Sequence, residues 1–171
     1  MPCKNEYVNY GTQGICKVDD IRLLKFGVGG DRRNYYILRP VHQENASVFV
    51  PADNRELVGR MRPVLSPEEI DRVILSVRGE KMPWISDRKQ RSARLQDILS
   101  RRDERELLLL AGCLYARSRG SGKGLSASDA QALKKAETII EQEFSFSLNL
   151  SAQEIGAYIR GKLERSSTAG A

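Results

Sequence analysis

The one tryptophan of this 171-residue chain stands in the stretch KMPWISDRKQR, residues 81–91, among polar and basic neighbours. Tryptophan has more apolar area to bury than any other side chain, so a charged connector with a proline is an unusual place for it. Two chemistries fit. Trp84 can fold back over the end of the preceding helix and plug a joint between helices. Alternatively it leans on a nucleic-acid base step, while Arg88, Lys89, Arg91 and Arg94 of the following helix sit on phosphates. With Asp87 as the cap of that helix, Arg88 and Arg91 are three apart and are predicted to share a face. A wedged side chain costs unstacking energy that added contact offsets, and an aromatic stacked on a base is worth about 1–3 kcal/mol. The cations alone give binding without sequence preference that falls steeply with salt. Arg101, Arg102 and Arg105 interleave with Asp103, Glu104 and Glu106, which reads as surface pairing rather than a phosphate track.

No catalytic constellation assembles from the remaining residues. His42, the only histidine, sits in a polar turn without a nucleophile to activate. Residues 27–31, GVGGD, fall between two predicted strands, where a hairpin loop is expected, and a phosphate loop needs a helix to follow. Residues 120–124, GSGKG, lack the Ser or Thr after the lysine and the glycine five positions before Gly122; Gly124 and Arg117 stand there instead. Glu68 and Glu69 lie in the first turn of a predicted helix, where the macrodipole favours carboxylates. The expectation is a binding protein, not an enzyme, with no cofactor.

The net charge of +6 leans towards an anionic partner. Cys3, Cys16 and Cys113 are odd in number and scattered, and with one histidine they make neither a disulfide framework nor a metal site. That usage points to a reduced, cytoplasmic setting. The longest apolar run, residues 107–116, is well short of the roughly 18 residues a membrane span needs, and the opening MPCKNEYVNYG has no apolar signal core. A membrane partner is therefore not expected.

The elements that would position Trp84 fall into two groups. Up to about Pro63 the chain reads as short strands, EYVNY, GICKVDDIRLL, NYYILRPV and ASVFVPA, punctuated by turn-rich YGTQG, FGVGGDRRN and HQEN. Strands so spaced predict a small antiparallel barrel or curled sheet. From Ser66 the pattern is helical. Ser66, Pro67 and Glu69 spell a capping box with proline at the first helical position, and Gly79 is a stop. Asp87 is predicted to cap a second helix with Leu95, Ile98 and Leu99 as its apolar stripe. A third is expected from about Asp103 to Arg119, a fourth after Ser126 or Ser128, and a last short one after Ser151 with Glu154. The predicted organisation is α+β: a strand module over residues 1–63, an all-α module over 64–165, and a flexible tail over 166–171.

The order of these features resembles the CarD/CdnL family of bacterial transcription regulators over about residues 10–163. The resemblance is carried by Tyr10 with GTQGICKVDDI, then NYYIL, VFVPADN and VGRMRPVLSPEEIDRVI, then Trp84, the basic helix and GLSASDAQALKKAETIIEQE. It implies an N-terminal Tudor-like barrel, shared with transcription-repair coupling factors, that pairs with the β subunit of RNA polymerase. Val48, Phe49 and Val50 would form the strand whose edge meets the polymerase. It also implies a helical module on promoter DNA at the upstream edge of the melted region. There Trp84 would wedge into the minor groove and slow bubble closure, with Arg88, Lys89 and Arg91 as its basic neighbourhood. The implied protein is a cytoplasmic monomer, associated with the nucleoid through polymerase. In places the chain departs from the family pattern. Tyr10-Gly11 stands for Tyr-Pro, Gly14-Ile15-Cys16 for Gly-Val-Gly, and Asp129-Ala130 for an acid followed by lysine, while Phe49 replaces a charged residue of some relatives. The competing expectation is an adaptor on polymerase whose helical half never touches DNA.

Overall fold

Alternating apolar side chains build the first half of the chain into strands. In the computed structural model, which describes residues 1–120 and 122–168, these are β1 (Tyr7–Tyr10), β2 (Ile15–Leu24), β3 (Arg33–Pro40), β4 (Val48–Pro51) and β5 (Met61–Pro63). They form one antiparallel sheet in the order β4-β3-β2-β1-β5. The sheet is open. β4 and β5 are its two edges and are not paired to each other, so the expected closed barrel is not formed. Closure needs strands that tilt and stagger around a full circuit, and the two edge strands have only 4 and 3 residues.

One face of the sheet carries the core of this unit, built on Val8, Cys16, Val18, Tyr36, Leu38 and Val50. The register between β2 and β3 slips between Val18 and Asp20, so Val18 faces Leu38 and Asp20 faces Ile37; a bulge of this kind bends and twists the strand. The β2–β3 connection is a glycine turn. Gly27 and Gly29 have φ of +80° and +82°, and a Cβ on Gly30 would stand 2.3 Å from the Phe26 carbonyl oxygen. Only glycine lets the chain double back that closely. A five-residue helix, α1 (Arg55–Gly59), follows β4. It is capped by Asn54, whose side chain accepts from the Leu57 N–H at 3.1 Å.

The chain divides into two compact units, Met1–Val64 and Leu65 onward. The second unit is helical: α2 (Pro67–Ser76), α3 (Arg88–Arg101), α4 (Glu104–Gly120), α5 (Ala127–Leu148) and α6 (Ala152–Thr168). Each start has a local cause. Ser66 and Glu69 complete a capping box, Asp87 accepts from the Gln90 N–H at 2.8 Å, and Ser126 rather than Ser128 accepts from the Asp129 N–H at 3.2 Å. The Ser151 N–H and hydroxyl both donate to Glu154, at 2.8 and 3.0 Å. The buried stripes meet around Ile70, Ile74, Ile98, Leu107, Leu110 and Phe144.

The first residue of the helical unit is held by α5. The Leu65 N–H donates to Glu143 at 3.1 Å and its carbonyl accepts from the Ser147 hydroxyl at 2.6 Å. Among the described residues no helix is long and apolar enough to cross a membrane. Ser121 and residues 169–171, the end of the expected tail, lie outside the described residues; the helical backbone of α6 runs to Thr168.

Candidate functional site

Trp84 is placed by a connector that has no helix or strand of its own, residues 77–87, between α2 and α3. It is partly buried: one part of the indole packs on the core of the helical unit and the rest meets solvent. Two guanidiniums lie over its ring, Arg91 with its Cζ 4.5 Å from the ring centroid and Arg117 with its Cζ at 4.6 Å. An indole is the aromatic that attracts cations most strongly. The ring, with Val77, Lys81, Met82, Leu108 and Arg117 among its neighbours, lines a cavity of about 520 Å³ along α4.

The basic residues near it divide into two kinds. Arg88 and Lys89, in the first turn of α3, are exposed and make no hydrogen bond or ion pair to a carboxylate among the described residues. With Ser92, Gln96 and Ser128 they line a shallow concavity between α3 and the start of α5, rich in hydrogen-bond donors. Arg91 differs. It lies four residues before Leu95 and heads the buried stripe of α3, so it points inward, away from the face of Arg88, and is 8% exposed. Its Nε and Nη2 donate to the Asp129 carboxylate at 3.0 to 3.2 Å, and its Nη1 donates to the carbonyls of Ile85 at 2.9 Å and Ser86 at 3.3 Å. Every arm of the fork is committed inside the protein. Such a two-pronged ionic bond is among the stronger hydrogen bonds a protein makes. Burial alone would push the Asp129 carboxyl up. The hydrogen bonds from Arg91 and Ser126 and the charges of Arg91 and Arg88 outweigh it and hold that carboxyl below its usual range.

Arg94 and Arg101 are engaged with Asp97 and Glu106, and Arg105 with Glu80, which leaves them outside the cluster. Arg117, one helix further on, is exposed and touches the indole, and the sequence reading missed it. Its only signal in the sequence is its place near the end of an amphipathic helix; that the end comes beside Trp84 is a tertiary fact. Among the described residues no three His, Cys, Asp or Glu side chains gather as metal ligands. The arrangement offers an aromatic surface flanked by cations, suited to a polyanion with stacked rings.

In the first unit, Val48, Phe49 and Val50 occupy β4, one open edge of the sheet. The strand period separates them: Val50 is 1% exposed in the core and Val48 is partly buried, whereas Phe49 is 43% exposed. Phe49 does not stand alone. The Phe26 ring lies 5.2 Å from it and 4.9 Å from Tyr35, both in edge-to-face geometry, and Phe26 is itself half exposed. The result is an aromatic cluster beside an unpaired strand edge.

Residues 4–65 match the family model of the CarD-like/TRCF RID domain. The likeness to that family is confined to the N-terminal unit. RID denotes the RNA polymerase-interacting domain found in CarD-like proteins, a non-enzymatic interaction domain, so RNA polymerase is the partner that this RID unit supports. The match ends at Leu65, where the helical unit begins. No curated protein matches the chain.

Proposed function

We propose that the protein docks on the β subunit of RNA polymerase through its RID unit. As a monomer there, it contacts promoter DNA without reading sequence, through the Trp84 corner, and stabilises the open complex. The open edge of β4 supplies unpaired backbone groups for strand addition, and the aromatic cluster around Phe49 supplies side-chain contact. The observation that carries the DNA half is the setting of the sole tryptophan. It is partly exposed, braced by Arg91 and Arg117, and followed in the chain by Arg88 and Lys89, which form no ion pair with a carboxylate among the described residues. Arg88, Lys89 and Arg117 are the phosphate contacts in this reading; Arg91 is not one, because its fork is used inside. Three such contacts give little affinity for free DNA at physiological salt, and docking on polymerase raises the effective concentration of the DNA-contacting unit.

The test is the lifetime of a promoter open complex formed with the cognate polymerase, without the protein, with wild type and with Trp84→Ala. A lifetime lengthened by wild type but not by a folded, polymerase-bound alanine variant is the expected result. Equal lengthening by both refutes the wedge. One observation favours the adaptor reading: Trp84 packs in part on the helical core, as a plug would. No lengthening by either protein decides for that reading.

A further inference from the structure

We infer that Asp129 and Arg91 are positioning residues for Trp84, acting through the connector and never on DNA. Arg91 bonds the carbonyls of Ile85 and Ser86, the two residues that follow Trp84, and lies under its ring. Asp129, in the first turn of α5 and 4% exposed, holds the guanidinium by Nε and Nη2. One ion pair therefore fastens three things together: the start of α3, the start of α5, and the backbone that presents the indole. Connectors without regular structure are the parts of a fold that open most easily. Without the fork, the residues around Trp84 have two fewer backbone carbonyls tied down, and the indole loses one of its two cations. A lysine cannot replace the arginine here, since a single ammonium lacks the planar fork that meets the carboxylate with Nε and Nη2 and the two carbonyls with Nη1.

The functional consequence rests on the wedge reading above, but the positioning itself is read without DNA. It also has an unusual sign. Asp129 is a negative charge close to a surface meant for phosphates, so on charge alone Asp129→Asn strengthens DNA binding. Positioning requires the opposite, a loss of function.

The experiment measures acrylamide quenching and emission of Trp84, the only tryptophan, together with open-complex lifetime. The proteins are wild type, Trp84→Ala, Asp129→Asn and the double variant Arg91→Met/Asp129→Leu. The double variant fills the site with apolar groups and removes the carbonyl clamp without leaving a lone buried charge. Helical circular dichroism and thermal melting establish folding. If the double variant fails to melt cooperatively, Asp129→Asn, which keeps the volume, carries the same readouts. Expected are increased quenching in both variants and a fall in lifetime of about fivefold or more, the low end of what one base stack is worth. Unchanged quenching and emission in a folded variant overturns the inference whatever happens on DNA. So does increased quenching with a wild-type lifetime, provided Trp84→Ala shortens it. If Trp84→Ala itself leaves the lifetime unchanged, the wedge reading fails, and the quenching data alone decide whether the pair positions the indole.

Discussion

Removing either partner of the Arg91–Asp129 pair should destabilise the helical unit far more than removing a surface pair. The two side chains are 10% and 5% exposed and 3.0 Å apart. At an effective dielectric of about 20, unit charges 4 Å apart attract by about 4 kcal/mol, and desolvation offsets much of that while both are present. When one is deleted the other stays buried without its counter-ion, at a cost of about 3–5 kcal/mol. Arg91→Ala and Asp129→Ala should each fall in that range. The double alanine variant leaves no stranded charge and loses only packing and the Ile85 and Ser86 bonds, so it should cost about as much as one single change. The coupling then equals one single cost, about 3–5 kcal/mol, at or above the upper end for residues in one network. Urea unfolding at pH 7 followed at 222 nm reads the helical unit, since all helices longer than α1 lie in it. The pH dependence has a fixed sign. The folded Asp129 carboxyl titrates below its unfolded value of about 3.9, so the unfolded chain takes up the proton first. The stabilisation is complete above about pH 5 and is lost as pH falls through the unfolded and then the folded value. Arg91→Ala should flatten that acid limb. Additive single costs, with coupling below about 0.5 kcal/mol, would refute this account of the pair.

Two further outcomes are expected. Replacing both Arg88 and Lys89 by alanine should lower the slope of log affinity against log salt for DNA binding by about 2, one for each phosphate that no longer has a cation on it; Arg94→Ala should leave it unchanged, because Arg94 is engaged with Asp97 and Glu106. Phe26→Ala should weaken capture of RNA polymerase by about fivefold or more, as truncation of an aromatic anchor does at an interface; equal capture at matched concentrations would place the docking surface elsewhere on the sheet.

What the sequence made legible was local. The capping box of Ser66 and Glu69, the Asp87 cap and the turn at Gly27–Gly30 depend on residues within a few positions of each other, and side chains so placed meet their partners whatever the rest of the chain does. Pairings across long separations were not legible. β5 joins β1 more than fifty residues upstream and escaped notice, as did the short α1, and whether a sheet closes depends on just such pairings. Arg91 is the instructive case. Its spacing of four from Leu95 placed it on the buried stripe, which periodicity could have revealed, yet arginine is so seldom buried that its type argued for solvent. Its partner, Asp129, lies on another helix 38 residues away, and only the tertiary structure supplies it. Phe26, just past β2, reaches Phe49 of β4 in the same way, across β3.

The clamp on Leu65 has a mechanical consequence. Its amide and carbonyl are both fastened to side chains in the last two turns of α5, Glu143 and Ser147, the first of them 1% exposed. A tug along the chain from the N-terminal side is therefore borne sideways by a 22-residue helix with its flank in the core, and it does not peel α2 open from its first turn. A tether rooted in this way can transmit tension from a large moving machine without fraying the part that holds the load.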